Sequence, residues 1–394
     1  MRPRVNSNSL IFLVLLQGAG VVMFCNWYYE LSPCDSPPAD PKVHVLLLSS
    51  WRSGSSFLGQ VFSQHPSVFY FMEPAWHVWS TMRTYGAKTL RMAVRDLMRS
   101  VFQCDFSVMD SYMSENRNTS SFFMWYQSRA LCSPPVCSLT PFGQISNVKE
   151  CQKECHGLDF EKATNSCQIY SHVVLKETRF FELESLYPLF QDPNLDLRIV
   201  HLIRDPRAVY RSREESALSF KMDNAIILEH RDVPEAEEQF QVMKKICQSH
   251  IRINETATQD PPAFLKGRYK LVRYEDVTRH PLQEISDIYD FVGLKMTKEM
   301  EDWIVTMTHG KGKGNLNNAF EVIPRNAAQV SQAWRSTLPF NKVKRIQEVC
   351  KEAMSMLRYK AVNSEEEQKR LDMDLYMPEG PKGFAWASGK LRSH

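Results

Sequence analysis

Residues 43–58 read VHVLLLSSWRSGSSFL. The apolar run from Val43 to Leu48 breaks into two serines, a Trp-Arg pair and Ser-Gly-Ser-Ser. Phe57, Leu58, Val61 and Phe62 then follow at the spacing of one helix face. The first half reads as a short buried strand and the second as a tight polar loop opening a helix. That order of elements aims free backbone N–H groups and the positive end of a helix at an anion. It predicts a phosphate cradle, against the blander reading of a serine-rich turn that caps a helix. The loop is not a Walker A motif, because Arg52 is its only cation and Gly54 its only glycine. Arginine's planar fork can clamp a terminal phosphate without a metal.

The same logic recurs in LRIVHLIRDPRAVYRSR, residues 197–213. An apolar strand ends in Arg204-Asp205-Pro206-Arg207 and a basic helix start follows, with Arg211 and Ser212. Arg204, Arg207 and Arg211 lie three and four apart, so they can share one face and a second anion. Two anion sockets at the carboxyl ends of strands in one sheet are where an α/β fold holds a nucleotide. One socket for a 5′-phosphate and one for a 3′-phosphate describe a bisphosphorylated adenosine.

The bulk numbers fit a globular chain. At 394 residues, with 43% hydrophobic and 24% charged residues, there is material for one large α/β domain or two smaller ones. A net charge of +3 gives no reason to expect nucleic acid. The N-terminus does carry information. Residues 1–8 hold Arg2 and Arg4, and residues 9–29, SLIFLVLLQGAGVVMFCNWYY, carry no charge. That run is long enough to span a bilayer, and its bulky aromatic end argues against a cleaved signal peptide. Residues 1–8 are therefore expected to be a cytosolic tail, 9–29 a transmembrane signal-anchor, and 30–42, with four prolines, a stem. The body of the chain, 43–394, is then expected to be luminal. Asn118-Thr119-Ser120 and Asn254-Glu255-Thr256 are N-glycosylation acceptor patterns that suit this address.

Nine of the ten cysteines follow the anchor, and Cys132, Cys137, Cys151, Cys155 and Cys167 crowd together downstream of Cys104. No Cys-x-x-Cys pair exists and His156 is the only histidine inside the cluster, so disulfides are expected and a metal site is not. Residues 104–170 break the α/β pattern and read as a disulfide-rich insertion. Further strands are expected at Val173–Leu175, within 197–213 and within 269–276, and helices at 281–293 and 342–357. Strands alternating with helices predict a mostly parallel sheet flanked by helices.

WRSGSSF and RDPRAVYRSR together resemble the 5′-phosphosulfate and 3′-phosphate motifs of the Golgi carbohydrate sulfotransferases. FYFMEPAWHVW (69–79), SRALCSPPVC (128–137), SHVVLKETRFF (171–181) and SQAWR (331–335) are similar to the galactose/N-acetylglucosamine/N-acetylgalactosamine 6-O branch. GFAWAS (383–388) is most similar to the intestinal and corneal N-acetylglucosamine 6-O-sulfotransferases. The resemblance implies a P-loop-like sulfotransferase fold and 3′-phosphoadenylyl sulfate as donor. It also implies a membrane-anchored Golgi enzyme acting on the 6-hydroxyl of N-acetylglucosamine in keratan-type or mucin-type glycans, and it is compatible with a homodimer. Trp51, Arg52, Ser53, Gly54, Ser55, Ser56 and Phe57 would wrap the 5′-phosphosulfate. The stretch Arg204, Asp205, Pro206, Arg207, Ala208, Val209, Tyr210, Arg211 and Ser212 would bind the 3′-phosphate, with Arg204 and Ser212 holding it. One departure is Gln329-Val330-Ser331, where relatives often carry a glycosylation site.

Sulfuryl transfer needs positioning, charge stabilisation on the leaving group and a proton acceptor. Glu73 is the first candidate base, because its apolar sequence neighbours are expected to bury it and raise its pKa. A structural Glu paired with an arginine is the alternative. His77 is a second candidate base. Lys176, at a strand end, is positioned to touch the leaving group, or to form an ordinary ion pair. The loop HGKGKGN (309–315) reads as a cationic lid or a surface loop, with Trp334 and Arg335 in the same closing segment. A metal-dependent glycosyltransferase would use Asp-x-Asp, and the only such triplet is Asp372-Met373-Asp374. A P-loop kinase would need the missing Walker lysine. A non-enzymatic glycan-binding protein would not depend on Arg52 or Arg204.

Overall fold

Strand β1, Val43–Ser49, pairs in parallel with a strand on each side, so it has no exposed edge and its six residues after Val43 are buried. Burial on both faces is why its sequence is continuously apolar instead of alternating. Val45 and Leu47 enter one core and Leu46 and Leu48 the other, as the two-residue period of a strand requires. The computed structural model of the chain describes residues 42–113, 118–312 and 321–377, together with Met23. The chain divides into two units, residues 1–41 and Lys42–His394. Nearly all of the anchor and of the stem, and the GFAWAS segment, lie outside the described residues. Among the described residues no helix is long and apolar enough to cross a membrane.

The sheet has five strands in the order β2-β3-β1-β4-β5, all parallel: β2 is Val68–Met72, β3 His172–Glu177, β4 Asp196–Ile203 and β5 Tyr269–Arg273. Helix α1, Ser55–Ser63, follows β1, and α2, Ala75–Thr81, follows β2. Helix α3, Pro206–Glu214, follows β4, and the 24-residue α4, Glu235–Thr258, precedes β5. Next come α5, Tyr274–Arg279, and α6, Pro281–Val292, which Gly293 ends at φ 83°. Helices α7, Ala327–Gln332, and α8, Phe340–Val349, come later in the chain. After β1 the chain builds the β3/β2 side of the sheet, and only later the β4/β5 side. The direction of growth therefore reverses between β1 and β4. A crevice at their carboxyl ends is the expected ligand position in such a sheet.

The expected strands are present, and β2 is an addition. Its sequence, VFYFM, is too short and too aromatic to show a strand period, yet all five residues are buried. The region 104–170 covers this edge strand. Its turns at Trp125–Gln127 and Arg129–Cys132 pack on β2, and Phe71 meets Phe122 edge-on at 4.9 Å. Phe106, Met109, Phe122 and Leu131 join the main core, so the region is part of the body of the fold. Three disulfides tie it, Cys104–Cys167, Cys132–Cys151 and Cys137–Cys155. The expected helix at 342–357 is interrupted at Cys350, which pairs with Cys247 of α4.

The Cys247–Cys350 link closes a loop with a sequence separation of 103 residues. Joining distant points restricts the unfolded chain, by about 4–5 kcal/mol in the chain-entropy account and commonly less when measured. Replacing both cysteines by serine is expected to lower the unfolding free energy by about 2–4 kcal/mol in a denaturant titration. A change below about 1 kcal/mol would contradict this.

Candidate active site

The crevice between β1 and β4 opens into a cavity of about 560 Å³. The β1 loop forms one wall. Arg52 has φ 69° and Gly54 φ 87°, so the loop turns through the left-handed region twice before α1 begins. Gly54 is required there, because a Cβ would run into the Tyr274 ring as well as strain the backbone. Behind the loop, Ser50 Oγ lies 2.7 Å from Ser53 Oγ and 3.2 Å from His250 Nε2. His250 Nδ1 lies 2.8 Å from His201 Nε2, whose Nδ1 meets the Tyr269 hydroxyl at 2.8 Å. Burial lowers the His250 pKa to about 4 and that of His201 well below its usual value, so this support is uncharged.

The two sequence-predicted sockets meet in this cavity. Arg52 Nε donates to Ser212 Oγ at 2.9 Å, and Arg204 Nη1 donates to the Arg52 carbonyl at 3.0 Å. Arg204 Nη2 reaches the Val330 carbonyl at 3.0 Å, and the guanidinium lies 4.6 Å from the centre of the Tyr274 ring. Arg211 and Arg325 line the same space. Burial, then the Arg204 and Arg325 charges, lowers the Arg52 pKa to about 10. Crowded, desolvated cations favour an anionic ligand. Buried donors point the same way. Among the described residues Trp51 Nε1 and Arg204 Nε have no hydrogen-bond partner, and both residues line the cavity.

Glu73 and Lys176 also line it. Glu73 sits at the end of β2 with φ 46°, its amide donating to the Lys176 carbonyl at 2.8 Å. Its carboxylate takes the Lys176 ammonium on Oε1 and Arg179 Nη1, at 2.5 Å, on Oε2. Burial alone would raise its pKa, but the two cations and their hydrogen bonds overcome this and lower it. This corrects the expectation of a raised pKa: Glu73 is buried, as expected, and is held ionised. The neighbouring Glu177 differs. Its oxygens accept the amides of Thr178, Arg179 and Ala75 at 2.7, 3.0 and 2.9 Å, fastening β3 to α2.

Ser55, Ser56 and Phe57 line the cavity with Trp51, Arg52 and Gly54, whereas Ser53 faces inward and is fully buried. Of the second stretch only Arg204, Arg211 and Ser212 line it. Asp205 caps α3 by accepting the Arg207 amide at 2.9 Å, and Pro206 supplies its first turn. The expectation that Arg207 binds the anion is corrected. Arg207 is fully buried, forks onto Asp205 at 2.9 and 2.8 Å, and bonds Gln347 and the Lys360 carbonyl. Ala208, Val209 and Tyr210 are core residues. His77 is not placed as a base either. It is buried off the cavity, its Nε2 accepts the Phe123 amide at 3.0 Å, and burial followed by the Arg179 charge lowers its pKa to about 4.

The closing segment is likewise different from expectation. Trp334 is fully buried, and Arg335 bonds the carbonyls of Gln368, Arg370 and Met373, so both are structural. Gly310, Lys311 and Gly312 do line the cavity, with the Gly312 amide on the Pro324 carbonyl at 2.8 Å; residues 313–315 lie outside the described residues. Asp372 and Asp374 of the Asp-x-Asp triplet are paired with Arg370 and Arg279. Asn118 caps a turn at Thr119–Ser121, whereas Asn254 is half-buried within α4, its Nδ2 3.5 Å from Met356 Sδ. Residues missed from the sequence are Arg179, Tyr274 and Arg325. The motif SHVVLKETRFF and the expected strand within 269–276 contained the first two, but only their distant partners reveal what they do.

Because Arg207 is a fully buried half of an ion pair, its loss strands the Asp205 charge. Arg207→Met is expected to lower stability by about 3–5 kcal/mol, measured by denaturant unfolding. A loss below about 1 kcal/mol would return Arg207 to the list of ligand-binding candidates.

A family model described as a sulfotransferase domain matches residues 42–358. Carbohydrate sulfotransferase 6 of Homo sapiens is 52% identical over 389 residues, covering 98% of this chain and 97% of that protein. Carbohydrate sulfotransferase 4 of Mus musculus is 50% identical over 336 residues, 84% of this chain and 86% of that protein. Among solved structures, the sulfotransferase domain from the curacin biosynthetic pathway is similar with a TM-score of 0.42 and 16% identity, over 79% of this chain and 97% of that one. With relatives half identical across nearly its whole length, the chain belongs to the sulfotransferase-domain family, as one of its carbohydrate sulfotransferases.

Proposed function

We propose that the chain transfers sulfate from 3′-phosphoadenylyl sulfate to the 6-hydroxyl of N-acetylglucosamine in keratan-type or mucin-type glycans. The observation that carries this reading is that Arg52, Arg204, Glu73 and Lys176 share one cavity. The β1 loop, with Arg52 and the amides opening α1, suits the 5′-phosphosulfate. Arg204 and Ser212 suit the 3′-phosphate, and the orphaned Arg204 Nε is a donor such a ligand would satisfy. The acceptor class rests on the resemblance and on relatives whose names describe carbohydrate sulfotransferases.

In the proposed reaction the acceptor 6-oxygen attacks sulfur as the bond from sulfur to the 5′-phosphate oxygen breaks. The hydroxyl proton passes to Glu73, and the leaving group departs as adenosine 3′,5′-bisphosphate. Arg52 and Lys176 stabilise the charge that builds on the leaving phosphate. Glu73 is ionised and therefore ready to accept a proton; its low pKa makes Lys176 moving away the event that raises its basicity. The same reading places the body in the Golgi lumen behind the 9–29 anchor, with N-linked glycan at Asn118. Glycan at Asn254 would have to displace the contacts that residue makes with Met356 and Tyr269.

The test follows labelled sulfate from 3′-phosphoadenylyl sulfate to N-acetylglucosamine-terminated oligosaccharides, with EDTA present. Label is expected at the 6-position. Arg52→Ala is expected to lower kcat/KM about 10²–10³-fold, and Glu73→Gln about 10²–10⁴-fold. Full activity of Glu73→Gln would remove the base assignment. Absence of transfer to any N-acetylglucosamine acceptor would overturn the acceptor reading.

A further inference from the structure

The ionic cluster at the cavity floor is lopsided. Lys176 reaches the Oε1 edge of Glu73 and lines the cavity; Arg179 reaches the Oε2 edge and does not. The Arg179 guanidinium lies 5.6 Å from the Trp51 ring centre and 5.5 Å from that of Trp79. Its other Nη is 3.3 Å from Asp223 Oδ1, on the helix Lys221–Ile227. A ligand in the cavity can therefore recruit the Lys176 ammonium, while aromatic rings wall off the Arg179 guanidinium. Among the described residues no backbone amide serves the Glu73 carboxylate as three serve that of Glu177. Once Lys176 turns away, Arg179 is the remaining anchor.

We propose that Arg179 is a positioning residue, the fixed anchor that holds Glu73 against the β2 end while Lys176 is exchanged to the donor. The inference rests on Glu73 being the proton acceptor. An anchored carboxylate keeps the free Oε1 aimed into the cavity, and the adjacent cation keeps it ionised until the acceptor hydroxyl arrives. The charged and titratable groups around the pair come from every neighbouring element. They are Tyr70 of β2, His77 of α2, Lys176 of β3, Glu177 after it, Arg213 of α3 and Asp223. Among them Asp223 competes for Arg179, so it acts on Glu73 in the opposite sense. Removing the Arg179 charge favours protonated Glu73; removing the Asp223 charge favours ionised Glu73.

The experiment measures kcat/KM against pH for the full chain and for Arg179→Gln, Arg179→Lys, Asp223→Asn and Glu73→Gln. Arg179→Gln is expected to move the acidic limb up by about one pH unit or more. Arg179→Lys, which keeps the charge, should hold the limb near its original place with a lower kcat. Asp223→Asn should move it down. A folded Arg179→Gln whose limb stays put overturns the inference, because a merely structural arginine would lower activity at all pH values alike. Should Arg179→Gln not fold, Asp223→Asn decides: a downward shift supports the inference and an unmoved limb overturns it. Full activity in Glu73→Gln overturns it too, by removing the base beneath it. Loss of activity in Glu73→Gln beside unmoved limbs in the other variants overturns the anchor alone.

Discussion

A 3.0 Å hydrogen bond from Arg204 to the Arg52 carbonyl joins two loops that lie 152 residues apart in the chain. That junction brings the two cationic loops together over one cavity. The sheet makes it feasible, because β1 and β4 are adjacent and parallel and their carboxyl ends open on the same side. The loop after β1 brings backbone donors and one arginine; the loop after β4 brings a second arginine and a capped helix start. Each alone would make a modest anion site. Held together they line one cavity with several cations, and each cation makes its neighbour more costly to leave without an anion.

The loops reach this geometry through backbone that most residues avoid. Arg52 at φ 69° and Glu73 at φ 46° are both left-handed, at a cost on the order of 1–2 kcal/mol each. Rigid strands on either side oppose that cost. The Ser50–Ser53 contact and two uncharged histidines support the β1 loop from behind. The Glu73 amide is pinned to β3 before the chain turns into α2. Arg52 and Glu73 are two of the eight non-glycine residues with positive φ among the described residues, and both have side chains that the proposed chemistry uses. Strain of this kind persists where surrounding structure determines the conformation.

Much of this was legible in the sequence, for physical reasons. Central parallel strands are buried on both faces, so VHVLLLS and IVHLI stand out as apolar runs, and the polar loops at their ends stand out by contrast. The edge strand VFYFM was hidden, because its burial comes from the disulfide-tied region and not from its own period. Helical spacing placed Arg207 beside Arg204 and Arg211 but could not show that Asp205 turns it inward. Composition predicted that Glu73 would be buried. It could not predict the sign of the pKa shift, because Lys176 and Arg179 lie more than a hundred residues away. The disulfide partners were beyond reach for the same reason: pairing is a property of the folded distances.

The central claim is that the two loops bind opposite phosphate ends of one nucleotide. Calorimetric binding of adenosine 3′,5′-bisphosphate and of adenosine 5′-phosphate, to the chain and to its Arg204→Ala variant, tests it most directly. A charge-assisted hydrogen bond contributes about 1.5–3 kcal/mol. The variant should therefore weaken the bisphosphate about tenfold or more beyond its effect on the monophosphate. Equal weakening of both ligands would mean that Arg204 braces the β1 loop without meeting the 3′-phosphate, and the two-socket account would fail.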